Sequence, residues 1–552
     1  RSLSQTSGDY SDSRQSVWGV FGSDKWKLSP RLTLNLGLRW EPQVPMKEIY
    51  GRIQQFRPDA YSAGVHSTII PSAPAGLFFV GDSYNGVSVP STGQTADLNN
   101  FAPRVGIAYD PTGSGKWAIR AGGGTFYYSR LPGLFLNDAS IVAPFSLRLD
   151  PVEPQVGPLD NPLVAYPSFT ASFPQRFTLA NVPKNVPFPA IVSVYSEQPG
   201  VKWVTPTTYE WNVTVERQLQ RDTVMHVSYV GLRGTHLRQD TDLNPAPTST
   251  KAGDPIQVRR PFQPFGDIIE NRNSGANGYN ALQVDLEKRP AGGGEGVWRH
   301  ITLLANYTYS KAMEYGLSSN GGITDVGSSK GSGMSIYDPR QHAFETGPSD
   351  FDHTHRFVAS YVWNLPRLTG SNIAMRNLVG GWDWTGIYTV TTGDPMTITT
   401  GVERSQTGLG GDRADYVGPS GQFGGVASPG QRTPCSATVS HCVPWLNDSL
   451  FTLPAIGTYG TAGKNTFRGP TLWDIDTGLL KNFYPMPSRE SFNFQFRAEF
   501  FNLFNHPQFS DPNSTFTNAA FGTIRSTVGV NSGNSGGSAD SRIIQLALKM
   551  SF

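Results

Sequence analysis

The sequence predicts an all-β fold, an antiparallel transmembrane β-barrel, and three observations predict it. Apolar and polar residues alternate strictly over segments of about ten residues, the length a tilted membrane-spanning strand needs. Tight turns alternate with long connections along the chain. The final segment is itself an alternating strand that stops on an aromatic residue, Phe552.

Composition agrees with that class. Of 552 residues only 16% are charged, while Gly (60) and Pro (42) are plentiful. Few charges and many turn formers suit an all-β protein with long loops better than an α-rich soluble enzyme. The net charge of +2 provides no general attraction to nucleic acid, so no nucleic-acid partner is expected. No run approaches 18 uninterrupted apolar residues, which excludes spanning helices but not a barrel, whose strands are apolar only at every second position. The opening RSLSQTSGDY has no initiator Met, apolar stretch or cleavage site. A protein destined for an outer membrane needs such a leader, so the chain is expected to be a piece of a longer precursor.

The first clear element is LTLNLGLRWE. Leu32, Leu34, Leu36, Leu38 and Trp40 fall on one face, and Thr33, Asn35, Gly37, Arg39 and Glu41 on the other. A helix would scatter those leucines around its circumference. The preceding SVWGVFGSDKWKL enters through Ser29-Pro30-Arg31, a turn sequence, so the two segments read as a hairpin. VGIAYD and KWAIRAGGGTFYY form the next, joined by PTGSG. YEWNVTVERQL turns at Gln220-Arg221-Asp222 into TVMHVSYVG. YNALQVDLEKR sets Leu282, Val284 and Leu286 against Gln283, Asp285 and Glu287, and crosses a Gly-rich turn into ITLLANYTYS. HRFVASYVWNL, WDWTGIYTV, LWDIDTGLLKNF and FNFQFRAEFFNLF follow. In the last strand Ile544, Leu546, Leu548, Met550 and Phe552 alternate with Gln545, Ala547, Lys549 and Ser551. About fourteen strands result, most near the spanning length.

Residues 41–100, 130–206 and 401–470 hold few strand-like runs and are expected to be long irregular loops. Such loops are foreign to a compact soluble domain but ordinary at the outer end of a membrane barrel. Asn35, Arg39, Asp285, Asp474, Asp476, Arg497 and Glu499 occupy polar faces and are candidates to face a lumen. A soluble sandwich explains those charges equally well. It explains less well the aromatics near strand ends, Trp40, Trp117, Tyr127, Tyr128, Tyr307, Tyr309 and Trp363, which suit the two interfacial girdles of a barrel.

These segments together resemble a family. WKLSPRLTLNLGLRWE, NNFAPRVGIAYD, YEWNVTVERQLQRDTVMHVSYVGLRGTHL, YNALQVDLEKR, LLANYTYSKAM, DFDHTHRFVASYVWNLP and FRAEFFNLFNHPQF resemble the barrel of TonB-dependent outer-membrane receptors, most of all the Oar-like group. The likeness runs in patches from Ser16 to Phe552. It implies a barrel of about 22 strands plugged by an N-terminal domain. It also implies a TonB box that couples to an energy-transducing complex of the inner membrane, and in many members an N-terminal β-sandwich. None of these N-terminal parts is visible, so residues 1–552 are expected to be the C-terminal portion of such a barrel. The alternating last strand (Ile544, Leu546, Leu548, Met550, Phe552) resembles the signal read by the barrel assembly machinery.

Gly327-Ser328-Ser329-Lys330-Gly331 fits a nucleophile elbow in spacing, but a Gly/Ser loop surrounds it where strand and helix are needed. Gly113-Ser114-Gly115-Lys116 lacks the Ser/Thr and following helix of a phosphate loop and reads as a hairpin turn. His353 and His355, on one face of a strand, are weak candidates for a metal. Asp412 and Asp415 are weak candidates for Ca²⁺ in an outer loop. No cofactor and no catalytic residue is assigned, and no enzyme is expected. Cys435 and Cys442, in CSATVSHC, are expected to close a small disulfide loop in an oxidising compartment, giving roughly 2.5 kcal/mol of local stabilisation; free thiols are the alternative.

The leading functional expectation is an outer-membrane transport receptor. It would lie among outer-membrane lipid and lipopolysaccharide, bind an unidentified extracellular ligand and admit it with TonB-derived energy. The alternatives are a non-transporting adhesive or structural barrel, and a soluble secreted carbohydrate-binding β-protein.

Overall fold

The computed structural model describes residues 5–6, 12–128, 143–145, 148–149, 177–290, 297–315, 346–365, 380–410, 412–419, 435, 442–483, 493–528 and 541–551. Its organising element is one antiparallel sheet in which each long strand pairs with the strands before and after it in the chain. In order these are β1 (Val20–Ser29), β2 (Leu32–Trp40), β3 (Phe101–Tyr109), β4 (Trp117–Tyr127), β5 (Thr207–Gln220), β6 (Thr223–Asp242) and β7 (Phe265–Lys288). β8 (Ile301–Tyr315), β9 (His355–Asn364), β10 (Trp382–Thr391), β11 (Leu472–Phe483), β12 (Asn493–Phe501) and β13 (Ile543–Ser551) complete the path. β1 and β13 are its two edges.

The alternation seen in the sequence becomes two continuous faces. Leu36 lies opposite Val105, Val213 opposite Tyr229, Tyr229 opposite Leu282 and Leu282 opposite Tyr309. Further along, Trp363 lies opposite Trp384, Trp384 opposite Leu479, Leu479 opposite Ala498 and Ala498 opposite Leu546. This face is apolar and open to the surroundings: Leu38, Val105, Val213, Leu282, Leu546 and Leu548 are all exposed, the last at 69%. A soluble sandwich turns its apolar face inward. An exposed apolar face spread over so many strands greatly exceeds any patch a soluble monomer tolerates, and matches a surface solvated by lipid. Nine residues of β2 at about 3.3 Å each, tilted by about 40°, span roughly 23 Å, the height of an outer-membrane apolar band.

Aromatic rings collect at both margins of that band. Trp40, Phe101 and Tyr209 mark one end, and Trp117, Trp363 and Trp384 the other. Trp40 stacks on Phe101 and its indole N–H donates to the Leu98 carbonyl at 2.7 Å. Two glycines clear space for rings laid flat on the wall. A Cβ at Gly231 would stand 2.2 Å from the Trp211 indole, and one at Gly386 2.7 Å from the Tyr361 ring.

The two ends of the sheet differ. β1–β2, β3–β4 and β5–β6 are joined by short turns; β2–β3, β4–β5 and β10–β11 cross by long connections at the other end. The short turns have sharp local chemistry. In the β3–β4 turn the Asp110 carboxylate accepts N–H bonds from Thr112, Gly113 and Gly115, so 113–116 is a hairpin turn. Those donors, Gly115 foremost, hold the Asp110 carboxyl below its usual range.

The described parts of the long connections are not the irregular loops that their sequences suggest. They fold into a cap with buried cores. Phe56, Ile70, Leu77, Phe79, Phe145, Val192, Val194, Phe265 and Ile268 form one core, drawn from the β2–β3 and β4–β5 connections and the start of β7. Met396, Ile398, Leu446, Phe451, Phe467 and Phe521 form a second. Strand pairings within the cap are short and non-local. Gln54–Phe56 pairs with Leu77–Phe79, and Val192–Glu197 runs parallel to the first residues of β7. Periodicity cannot reveal strands of two to six residues that join distant segments.

β6, β7 and β8 also outgrow the apolar band. On β7 the lipid-facing series Leu286, Val284, Leu282 ends at Asn280, yet the strand continues to Phe265. Its outer half is mostly buried in the cap and pairs with β6 as far as Asp242–Ile269.

Candidate functional site

The face opposite the apolar band is polar, and the register gathers the charged residues singled out above onto it. Asn35 lies opposite Gly106, and Arg39 opposite Ala102. Asp285 lies opposite His226 on one side and Asn306 on the other. Asp474 faces Thr389, and Asp476 faces Ile387. Glu499 faces Gly478, and Arg497 faces Leu480. The seven share a face without sharing a site. Asn35 and Arg39 are far around the sheet from Asp474, Asp476, Arg497 and Glu499, with Asp285 between.

Two of them converge. A concavity of about 430 Å³ opens on the polar face between β8 and β12, lined by Thr302, Ser360, Thr385, Asp476 and Glu499 with Leu304 and Phe501. Asp476 is fixed by accepting the Asn502 N–H at 2.8 Å. Arg497 is held by the Gln495 amide oxygen at 2.6 Å, and across the sheet Arg120 pairs with Glu216 at 2.6 Å. Val362, Ile387 and Tyr361 also line the concavity, so its wall is largely apolar and the two carboxylates are its charged groups.

The histidines do not act together. Only His355 belongs to a strand; His353 precedes it, which corrects the expectation of two rings on one strand face. His353 Nδ1 lies 3.1 Å from the Thr392 carbonyl and its Nε2 3.7 Å from Asp394. His355 instead stacks on Tyr307, whose hydroxyl is 2.8 Å from its Nδ1. Asp412 is buried, and its carboxylate accepts from the Ser405 N–H at 2.6 Å and the Ser405 hydroxyl at 2.9 Å, as well as from the Arg404 N–H. Oxygens already facing donors are poorly placed to hold a cation. Asp415 accepts the Thr461 N–H at 3.1 Å. Among the described residues no three His, Cys, Asp or Glu side chains gather as a metal set. Cys435 and Cys442 are joined in a disulfide, seven residues apart. Ile544, Leu546, Leu548 and Met550 stand exposed on the apolar face of β13; Phe552 and the Gly327–Gly331 segment lie outside the described residues.

Sequence reasoning missed the buried charges that hold the cap. Asp82 accepts from Thr68 N–H at 2.8 Å and Phe79 N–H at 2.9 Å, and Asp97 accepts the Thr205 N–H at 2.8 Å. Asp242 accepts the N–H groups of Asn244 and Ile268, both at 2.9 Å. Burial pushes its carboxyl up to about 6, outweighing the Arg260 guanidinium 3.5 Å away. Burial also raises Glu270 and Asp412. Lys464, wholly buried, reaches from the β10–β11 connection to Glu314 at the outer end of β8, 2.8 Å apart. Isolated Asp and Lys residues in loops carry no spacing that signals such roles.

The curated proteins include none that matches this sequence. Among solved structures the chain is similar to the outer membrane transporter YddB from Escherichia coli, at 11% identity and a TM-score of 0.43, over 97% of this chain and 54% of that one. It is also similar to FpvA of P. aeruginosa, solved bound to heterologous pyoverdines, at 8% identity and a TM-score of 0.41, over 99% of this chain and 39% of that one. A third is the siderophore receptor PiuA from Acinetobacter baumannii, at 10% identity and a TM-score of 0.41, over 97% and 43%. The chain thus spans about half, or less, of the length of these structures. The assignment rests instead on the family described as "Outer membrane beta barrel domain", which matches residues 1–545. With its lipid-exposed wall and antiparallel meander, the chain belongs to the outer membrane β-barrel domain family and resides in the outer membrane.

Proposed function

We propose that the chain is the wall and cap of an outer-membrane transport receptor of the TonB-dependent kind, in which the cap captures an extracellular ligand and the polar face lines its route inward. The observation that carries this reading is the concavity between β8 and β12, on the face opposite the lipid-exposed band, into which the Asp476 and Glu499 carboxylates project from a largely apolar lining. A barrel serving adhesion alone needs a cap but no recess holding two carboxylates along its inner wall. The reading implies a plug and a TonB box in the full-length protein, a barrel of about 22 strands, and insertion by the barrel assembly machinery through the β13 segment. In this reading the protein is not an enzyme.

The test is expression of the full-length protein in a Gram-negative host, followed by outer-membrane fractionation, heat-modifiable gel mobility and a growth screen on scarce nutrients with and without a functional TonB system. A heat-shifted outer-membrane band with TonB-dependent uptake supports the receptor. A heat-shifted band with no TonB-dependent uptake, but with cell adhesion lost on deletion, favours the adhesive barrel. A soluble product with no heat shift removes both.

A further inference from the structure

We infer that the outward face of β6–β8 carries a binding site for the phosphorylated headgroup of an outer-leaflet glycolipid, lipid A. The inference rests on the reading of the long-loop end as extracellular.

On β6 and β8 the apolar lipid-facing series ends in a tyrosine, and on β7 between them it ends in Leu282. Tyr229, Leu282 and Tyr309 form one rung across the wall. The Tyr229 hydroxyl points toward the loop end and donates to Asn280 Oδ1 at 2.6 Å. The next rung is Gly231, Asn280 and Lys311, and the one above it Arg233, Gly278 and Met313. Lys311 therefore stands one rung beyond the aromatic margin and Arg233 two, both on the side that faces lipid and both exposed. Gly278 leaves the ledge bare between them. A Cβ there would sit 3.7 Å from the Arg233 guanidinium, which leans across β7 to lie 4.7 Å over the Tyr315 ring of β8. Among the described residues neither cation has a carboxylate within ion-pair distance, whereas Lys288 at the opposite end of β7 is bound to Asp222.

An Arg and a Lys with no carboxylate near either among the described residues, and no side chain at Gly278 between them, at headgroup level on a lipid-facing wall, complement a phosphate ester. Arg supplies a planar fork and Lys a mobile point charge for the same anionic oxygens. The apolar rungs below contact acyl chains. The outer leaflet supplies lipid A at this depth.

The test uses full-length protein purified from outer membranes and reconstituted in phosphatidylcholine nanodiscs that contain diphosphoryl lipid A or its dephosphorylated form. Native mass spectrometry reads the lipid retained per protein. The wild type is expected to retain the phosphorylated form about tenfold better, and Arg233→Ala/Lys311→Ala to lose most of that preference. Arg217→Ala, an outward cation of the opposite end that lies 4.6 Å over Trp117, is expected to change nothing. Excess inorganic phosphate is expected not to displace the lipid. Equal retention of the two forms by the wild type overturns the proposal, as does an unchanged preference in a double variant that keeps its heat-shifted band. If the double variant does not fold, the wild-type comparison alone decides. Failure of the transport reading is visible separately as absent uptake with retention intact, and failure of the orientation as long connections protected from protease on whole cells.

Discussion

In the spanning wall, Val105, Leu282 and Leu548 expose most or much of their side chains; in the cap, Phe56, Phe79 and Phe467 expose almost nothing. One chain thus applies opposite rules a few residues apart, because its solvent changes. In lipid the backbone must be satisfied and the side chains need only be apolar, so an open row of Leu, Val and Ile on a fully paired sheet suffices. In water the apolar groups must be hidden, so the cap assembles separate connections around Phe56 and Phe265, whose rings meet at 5.0 Å. The wall is uniform and repetitive; the cap depends on particular contacts between distant segments.

That contrast can be broken from either side. The largest effect is expected in the cap. Phe56→Ala removes a wholly buried ring and should cost about 3–5 kcal/mol. Hydrogen exchange should show the cap opening while the heat-shifted band of the wall persists; loss of both would mean that the two regions fold as one. Next is Val284→Arg, which places a charge deep on the lipid face and should cost about 2–4 kcal/mol in folding titrations into bilayers. The neighbouring Gln283→Arg, on the polar face, should cost little. Equal penalties at 284 and 283 would remove the assignment of faces.

A third measurement sharpens the electrostatic difference. Asp242 has a folded pKa of about 6, above its unfolded value of 3.8. Between those values the folded cap binds the extra proton, so its stability falls as pH rises from about 4 through 6, by up to about 3 kcal/mol. Glu270 and Asp412, also raised by burial, act in the same direction. Asp242→Asn should flatten the profile of cap opening measured by exchange; a profile that rises with pH in the native protein would contradict the burial of these carboxylates. The smallest effect is expected from reducing the Cys435–Cys442 disulfide, about 2.5 kcal/mol and confined to its own loop, with the wall's thermal transition unmoved.

The wall was legible in the sequence because its rule is local. The alternation in Leu32–Trp40 and Ile543–Ser551 is visible without knowledge of any partner strand, and the polar positions Asp285 and Glu499 follow from counting by twos. β6 and β7 run well beyond the segments that alternation marks, since the outer half of β7, FGDIIENRNSGANG, has a face against the cap instead of lipid and so loses the apolar period. The cap was illegible for the reason it is stable. Val194 pairs with Ile268 and Gln55 with Phe78, contacts that no single segment announces. The pairing of His353 with His355 failed likewise, because the strand begins two residues later than the motif suggested.

β7 has a further consequence, for how a cell bearing this protein is seen from outside. Residues 265–279 continue the strand beyond the apolar band, and at about 3.3 Å per residue and a tilt near 40° they rise roughly 35 Å above it. The strand is a mast, and the cap packs along its outer half. With the long connections outside the cell, as proposed above, antibodies and phage tail proteins meet the cap first. The epitopes they meet are conformational, assembled from several connections at once, so linear peptides copied from this region are expected to make poor immunogens against intact cells.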